Sequence, residues 1–154
     1  MKKIIKSVLI ALSIAVLLQN SVFAAAGETI KQNIIRQAKN IGVEPAIVLS
    51  IAKTESGFNQ NARSAHGHIG VFQLSPNAAK HLGVNPYLAD DNIKGGITYY
   101  KNMYDRFGSM ELAVAAYNLG PEAIRRNNNT VPKCAQPFVS RIMSDYRVYK
   151  NTVK

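Results

Sequence analysis

Apolar residues recur every three or four positions along most of this 154-residue chain, and glycine or proline interrupts each run. Such spacing gathers apolar side chains on one face of an α-helix, whereas a half-buried strand requires strict alternation. Proline suits the first turn of a helix and glycine suits the position just after its end. The interruptions therefore mark successive helices, and the chain is predicted to be all-α. At this length we expect a single domain.

The same signals locate the individual elements. The predicted helices are 30–41, 46–55, 76–82, 90–107, 110–117 and 138–149, with a break and restart at Gly120 and Pro121. The apolar face of 90–107 is predicted to comprise Ile93, Ile97, Tyr100, Tyr104 and Phe107. Gly95 and Gly96 each weaken that helix by about 1 kcal/mol relative to alanine, which indicates close packing of another helix. Residues 58–74 are predicted to form a long loop, and residues 150–154 a frayed tail.

The N-terminus has the pattern of a secretory signal peptide. Three lysines precede an apolar stretch, and small residues at positions 22–26 suit cleavage after residue 24 or 26. The uninterrupted apolar core is shorter than the roughly 20 residues that a spanning helix needs, so no stable membrane anchor is predicted. The mature chain is therefore expected to be periplasmic or secreted.

The chain is strongly basic, with a formal net charge of +10. Without the three lysines of the signal peptide, 16 basic and nine acidic side chains remain, a net charge of +7. Such a surface attracts polyanions, and in the envelope these include the carboxylates of peptidoglycan. Nucleic acid is not a predicted partner, because the chain is exported and lacks an aromatic and basic stretch that could stack bases. Cys134 is the only cysteine, so no internal disulfide can form, and burial is its expected environment.

Glu55 is the first candidate for a catalytic group. It ends the predicted helix 46–55, near the negative pole of the helix dipole, where a carboxylate is disfavoured by about 0.3–1 kcal/mol. Ile51 and Ala52, one turn earlier, place it on the apolar stripe. Burial and the dipole both disfavour ionisation, so its pKa is expected to be raised, and a carboxyl that stays protonated near neutral pH can donate a proton to a glycosidic oxygen. A solvated glutamate at a helix end is the ordinary alternative.

Three blocks of sequence, in order, resemble the soluble lytic transglycosylase family across roughly residues 34–149. The first block comprises Glu55, Ser56, Phe58, Asn59, Ala62, Ser64, Gly67, Gly70, Gln73, Leu74 and Pro76. The second is Asn92, Ile93 and Gly96, and the third runs from Ala113 through Tyr117 and Asn118 to Pro121. Phe138, Val139, Arg141 and Ile142 are similar to the closing segment of the family.

The resemblance implies a lysozyme-like α domain over residues 27–149, with a saccharide groove beside the long active-site loop. It implies Glu55 as the catalytic acid/base. It also implies a set of substrate-binding residues: Ser64, Gly70, Phe72, Gln73, Tyr117 and Asn118. Gly67 and Gly70 would let the loop backbone approach a sugar ring without a Cβ in the way. For Tyr117 an ordinary core aromatic remains the alternative.

The sequence departs from the family pattern at several positions. Gln60 stands where the family usually has proline, His68 replaces a common alanine, and Val71 and Phe72 replace leucine and methionine. Cys134 lies where the family has an acidic segment. These changes concern the shape and far side of the groove and leave Glu55 in place.

The resemblance implies a lytic transglycosylase that cleaves the β-1,4 bond between N-acetylmuramic acid and N-acetylglucosamine and leaves 1,6-anhydro ends. No cofactor is implied, and the three histidines show no zinc-ligand spacing, so no metal site is predicted. A hydrolytic muramidase and a non-catalytic glycan-binding module are the alternatives. The predicted partner is the peptidoglycan glycan strand. The small domain behind a signal peptide also resembles specialised enzymes that open the wall for secretion, conjugation or pilus machinery.

Export can be tested on the mature N-terminus. We expect periplasmic fractions to contain a chain that begins at about Ala25 or Gly27, because both follow small residues suited to signal peptidase. N-terminal sequencing of the purified protein provides the measurement. Recovery of the intact Met1 form from the membrane fraction would show an anchor instead.

Overall fold

The computed structural model describes residues 29–153, and the predicted signal peptide lies outside them. All regular structure in this range is helical apart from two isolated β-bridges, so the all-α prediction is confirmed. None of the helices in 29–153 combines the length and apolar character needed to cross a membrane. In chain order the elements are α1 (Ile30–Ile41), α2 (Pro45–Ser56), α3 (Pro76–Leu82), α4 (Ala89–Phe107), α5 (Met110–Leu119), α6 (Pro121–Arg126), a 3₁₀ turn (Lys133–Ala135) and α7 (Gln136–Thr152).

Two helices form the centre of the domain. In α2 every residue from Ala46 to Ala52 is buried, and in α5 every residue from Ala113 to Tyr117 is buried. A helix that is buried around its whole circumference must lie inside the core rather than on its surface. The one polar side chain in the first run, Ser50, is satisfied because its hydroxyl donates to the carbonyl of Ala46 at 2.7 Å. The other helices surround this pair.

The outer helices cover the two central ones from different directions. The last helix, α7, packs along α2, and α4 packs along α5. The first helix, α1, contacts both α2 and α4. As a result the C-terminal ends of α2 and α5, which carry Glu55 and Tyr117, both meet the loop 58–74.

The loop 58–74 is fixed by the buried side chain of Asn92 on α4. The Asn92 amide oxygen accepts from the backbone N–H of Phe72 at 2.9 Å, and its amide nitrogen donates to the carbonyls of Ile69 at 2.8 Å and Pro86 at 3.0 Å. Ile69 and Leu74 exchange two backbone hydrogen bonds of 3.0 Å, which closes a tight hairpin over 69–74. The segment that the sequence predicts to be a loop is therefore attached to the helical core at several points.

Gly95 and Gly96 do mark a close approach, but the approaching group is this hairpin and not a helix. A Cβ on Gly96 would lie 2.1 Å from Cγ of Phe72, and one on Gly95 would lie 2.8 Å from Cδ1 of Leu74. The two glycines therefore form a recess in α4 that receives the side chains of the hairpin. The prediction of a close approach at these glycines is right, but the prediction that a helix makes it is wrong. The hairpin makes the contact, and its residues are distant in sequence from α4.

Three further expectations differ from the structure. On α4, Met103 is buried while Tyr104 is 42% exposed, because the helix turns its apolar face by one residue after Tyr100. Cys134 is exposed, since the 3₁₀ turn directs its neighbour Ala135 into the core instead. The last helix continues to Thr152, so the predicted tail is helical for its first three residues.

Candidate active site

Glu55 is the penultimate residue of α2, two residues before Gly57, which ends the helix in the left-handed conformation. Its carboxyl makes no hydrogen bond or ion pair with any residue in the range 29–153. Burial raises the pKa of Glu55 from 4.5 to about 7, because the surrounding protein disfavours the charged form. Glu55 is therefore a largely enclosed acid that is partly protonated near neutral pH and has no partner among the described residues.

The ends of the two central helices are joined to the same stretch of loop. The Ser56 hydroxyl donates to the carbonyl of Val71 at 2.7 Å, and the Tyr117 hydroxyl donates to the carbonyl of Phe72 at 2.7 Å. Burial raises the pKa of Tyr117 well above its ordinary value, and the charge of Glu55 raises it further. The two side chains therefore interact electrostatically, although 62 residues separate them in the sequence.

A pocket of about 260 Å³, the groove pocket, opens beside Tyr117. It is lined by His68, Gln73, Leu74, Ser75, Ala78, Tyr99, Tyr117, Asn118, Leu119 and Gly120. Glu55 does not line this pocket itself, but it acts electrostatically on Tyr117, which does. The groove pocket thus has polar groups from the loop on one side and from the end of α5 on the other.

Gln73 presents one free polar atom to the groove pocket. Its amide nitrogen donates to the carbonyls of Gly70 at 2.9 Å and Ala62 at 3.3 Å, while its amide oxygen has no partner within 29–153. Its backbone lies in the left-handed region at φ 47°, a conformation that non-glycine residues seldom adopt. The bound amide nitrogen orients the free oxygen, which can accept a hydrogen bond from a sugar hydroxyl.

Two more of the predicted binding residues lie at or behind the groove pocket. Asn118 is exposed and lines it, as its place after Tyr117 leads one to expect. Ser64 has no hydrogen bond to Glu55. Instead its hydroxyl accepts from the backbone N–H of His68 at 3.0 Å, and its own N–H donates to the carbonyl of His68 at 3.1 Å. Ser64 therefore positions His68 at the pocket.

Phe72 and Gly70, two further residues that the resemblance assigns to substrate binding, are both buried. The Phe72 side chain is fully buried in the recess of α4, so only its backbone faces the site. Gly70 is also buried, and a Cβ there would lie 2.4 Å from the Asn92 amide nitrogen and 2.8 Å from the Gln60 amide oxygen. The approach of Asn92 and φ 79° both require glycine at position 70.

Sequence reasoning missed Tyr99. Its ring packs edge-on against that of Tyr117, with centroids 5.2 Å apart and planes at 64°, and it lines the groove pocket. The signal was present, because Tyr99 is an aromatic residue that lies off the predicted apolar face of α4. The supporting roles of Ser56 and Asn92 are visible only once their backbone partners are known.

The other seven carboxylates in the range 29–153 all have partners elsewhere in the fold. Glu44 accepts from Tyr146, Asp90 from Asn33, Asp91 from the N–H of Asn85, and Glu111 from Ser109, while Asp105, Glu122 and Asp145 pair with lysine or arginine. Burial is the cause of the raised pKa of Glu55, and no second carboxylate contributes to it. Within the described part of the chain, no cluster of three or more histidine, cysteine, aspartate or glutamate side chains could hold a metal ion.

Known proteins are similar to this chain in sequence. Residues 32–136 match the profile of the family described as "Transglycosylase SLT domain". The chain is 38% identical over 79 residues to the transglycosylase of Enterobacteria phage PRD1, an alignment that covers 51% of this chain and 30% of the phage protein. It is 36% identical over 74 residues to the membrane-bound lytic murein transglycosylase F of Shewanella sp. strain ANA-3, which covers 43% of this chain and 16% of that protein.

Solved structures show the same fold. An inactive mutant of the lytic transglycosylase Slt from Pseudomonas aeruginosa superposes with a TM-score of 0.71 and 26% identity, covering 79% of this chain and 24% of that one. The 70 kDa soluble lytic transglycosylase from Escherichia coli gives a TM-score of 0.72 at 22% identity, covering 78% and 24%. This chain therefore spans less than a third of the length of each relative. The lysozyme-like helical fold inferred from the sequence agrees with these structures.

The raised pKa of Glu55 predicts a pH-dependent cost to stability. The folded pKa of about 7 lies above the ordinary 4.5, so the folded chain binds more protons than the unfolded chain between these values, and stability falls as pH rises through that window. We expect the free energy of unfolding of Glu55→Gln to equal that of the wild type at pH 4. Above pH 7 it should exceed the wild-type value by up to about 3 kcal/mol.

Denaturant unfolding of both forms at pH 4 and pH 8 makes this comparison. Glu111→Gln, which replaces an exposed carboxylate, is the matched control. Its stability should show no such pH-dependent gain. An equal stability difference at both pH values would show that Glu55 is not held in its neutral form.

Proposed function

Because this chain belongs to the transglycosylase SLT domain family, we propose that it is a peptidoglycan lytic transglycosylase with Glu55 as its catalytic acid/base. The observation that carries the proposal is the state of Glu55: a carboxyl without a protein partner, with its pKa raised by burial to about 7, beside a polar pocket. A general acid works best when its pKa lies near the working pH.

The first chemical step is proton transfer to the leaving oxygen. Glu55 protonates the oxygen that joins C1 of N-acetylmuramic acid to N-acetylglucosamine, and the C1–O bond breaks. The N-acetyl group of the substrate stabilises the positive charge that develops at C1. Glu55 is now a carboxylate in an enclosed site, where the charged form is disfavoured, so it readily takes up a proton.

The second step closes the ring. The Glu55 carboxylate removes the proton from the 6-hydroxyl of the same muramyl residue, and O6 forms a bond with C1. The enzyme recovers its proton, no water is consumed, and the product ends in a 1,6-anhydro sugar. Two-carboxylate glycosidases use a second acid as base or nucleophile. Here the other seven described carboxylates are engaged elsewhere, which supports attack by a hydroxyl already held in the substrate.

The polar residues of the groove pocket support binding rather than chemistry. The free amide oxygen of Gln73 accepts a sugar hydroxyl, and Asn118 offers an exposed amide. The Tyr117 hydroxyl donates to Phe72 and therefore holds the loop against α5 beside Glu55. Ser64 acts through His68. We place the reaction in the periplasm or outside the cell, at the wall near a secretion, conjugation or pilus apparatus.

Replacement of the acid tests the role of Glu55. Glu55→Gln keeps the shape of the side chain but cannot donate and then accept a proton, so we expect the rate to fall by at least about 10²–10⁴-fold. Turbidity clearing of purified cell walls gives the rate. Glu111→Gln replaces an exposed carboxylate in the first turn of α5, whereas the pocket lies at the last turn of that helix; it is the control and should clear walls at the wild-type rate. Clearing by Glu55→Gln at near wild-type speed would remove Glu55 from the mechanism.

The product distinguishes the transglycosylase from a hydrolytic muramidase. We expect released muropeptides to end in 1,6-anhydro-N-acetylmuramic acid, because the 6-hydroxyl is a nucleophile already held within the substrate. Mass spectrometry should find products lighter by one water than those of a hydrolase, and borohydride should not reduce them. Predominantly reducible ends would show that water attacks C1, and bound but uncleaved glycan would indicate a non-catalytic binding module.

A further inference from the structure

A second pocket, here called the distal pocket, opens at the opposite end of the two central helices. It is bordered by the first turns of α2 and α5, at Ile47 and Met110, whereas Glu55 and Tyr117 lie near the last turns of the same helices. Eight residues separate Ile47 from Glu55, about 12 Å along the helix axis. The volume of the distal pocket is about 240 Å³, close to the 260 Å³ of the groove pocket.

Tyr100 contributes an unpaired polar atom to the distal pocket. Its side chain is 97% buried, since only 3% of the residue is exposed, and its hydroxyl has no hydrogen-bond partner within 29–153. The hydroxyl oxygen is not sealed off from solvent, because the one fully enclosed, unpaired side-chain atom in that range belongs to Thr54. A buried hydroxyl usually finds a partner. Because Tyr100 lines the distal pocket, a ligand bound there can supply the partner.

Tyr104 supplies a flat surface at the mouth of the distal pocket. Its ring stacks on that of Tyr100, with centroids 6.3 Å apart and planes at 29°, and the residue is 42% exposed. This is the tyrosine that the apolar pattern of α4 wrongly places in the core. An aromatic ring that is half covered and half open offers one face to a ligand with an apolar side.

The charged groups of the distal pocket neutralise one another. Lys101 pairs with Asp105 at 2.5 Å. Glu44 accepts from the Tyr146 hydroxyl at 2.7 Å, and Lys150 donates to the same hydroxyl at 3.1 Å. The two carboxylates of the lining are thus balanced by Lys101 within the lining and by Lys150, which lies outside it and is linked to Glu44 through Tyr146, so an ion would find little net charge to attract it. A neutral ligand with several hydroxyl groups can use the remaining lone pairs of both carboxylates.

We propose that the distal pocket is a second, non-catalytic glycan-binding site that takes one neutral sugar ring. The apolar face of the ring lies on Tyr104, and hydroxyl or amide groups bond to Tyr100 and Glu44. The volume suits one ring rather than several, since it falls below the roughly 300–1,000 Å³ of pockets for larger ligands. This site takes no part in the proposed reaction. Only the identity of its physiological ligand, a peptidoglycan glycan, rests on the proposed function.

Two sites at opposite ends of α2 and α5 would bind one polymer more tightly than either alone. Once the distal pocket holds a glycan strand, a second segment or a neighbouring strand is presented to the groove pocket at a raised effective concentration. The gain depends on substrate length, so it applies to whole walls and disappears for short soluble fragments.

The N-acetylglucosamine trimer is the probe for the test. Backbone amide NMR of the Glu55→Gln protein, titrated with this trimer, should show two groups of shifted amides, one around the groove pocket and one at residues 43–47 and 100–105. Adding Tyr100→Phe removes the unpaired hydroxyl, and we expect affinity at the distal pocket to weaken about 2- to 10-fold. Affinity at the groove pocket and the melting temperature should not change, because the hydroxyl bonds to no protein group.

Tyr87→Phe is the matched control, since Tyr87 is 63% exposed and lies outside both pockets. It should alter neither affinity. The proposal is overturned if the trimer shifts no amides at 43–47 and 100–105, or if Tyr100→Phe binds there as tightly as its parent. Either result leaves the proposed reaction untouched, because that stands on the Glu55→Gln rate and the product ends.

Discussion

The hydrogen bonds of the buried Asn92 amide hold the loop that the rest of the site depends on. One side chain on α4 accepts from Phe72 and donates to Ile69 and Pro86, so it joins both flanks of the region between α2 and α4. Each of these buried groups would cost about 1–3 kcal/mol if left unpaired, which makes other loop conformations unfavourable. The peptide carbonyls so positioned, those of Val71 and Phe72, then receive the hydroxyls of Ser56 and Tyr117.

The electrostatics of Glu55 follow from this arrangement. The two central helices are buried around their circumference, and the loop covers the end of α2, so the carboxyl is removed from water without receiving a donor. Desolvation then has no compensating interaction, and the pKa rises to about 7. The charged form of Glu55 therefore lowers the stability of the fold, and the raised pKa makes the carboxyl available for proton transfer.

Local signals in the sequence predicted the helices well and their contacts less well. The glycines at 42, 57 and 83 end helices where predicted, because each adopts the left-handed conformation that favours glycine. The burial of Met103 in place of Tyr104 could not be predicted, since both lie near the edge of the apolar stripe and the neighbouring helix decides between them. Phe72 and Gly70 were predicted to bind substrate because their motif belongs to a sugar-binding stretch. A motif alone does not separate residues that contact a ligand from those that support the loop.

By itself the sequence determined that the chain is helical, where most helices begin and end, and that Glu55 terminates an apolar helix. These properties depend on residues within a few positions of one another, so spacing and capping residues suffice to predict them. Only the tertiary structure decided that Glu55 has no partner among the described residues, that it interacts electrostatically with Tyr117, and that Tyr100 and Tyr104 line a second pocket. Those properties arise from residues that are distant in the chain and are brought together by packing, and no local pattern records which distant groups will meet.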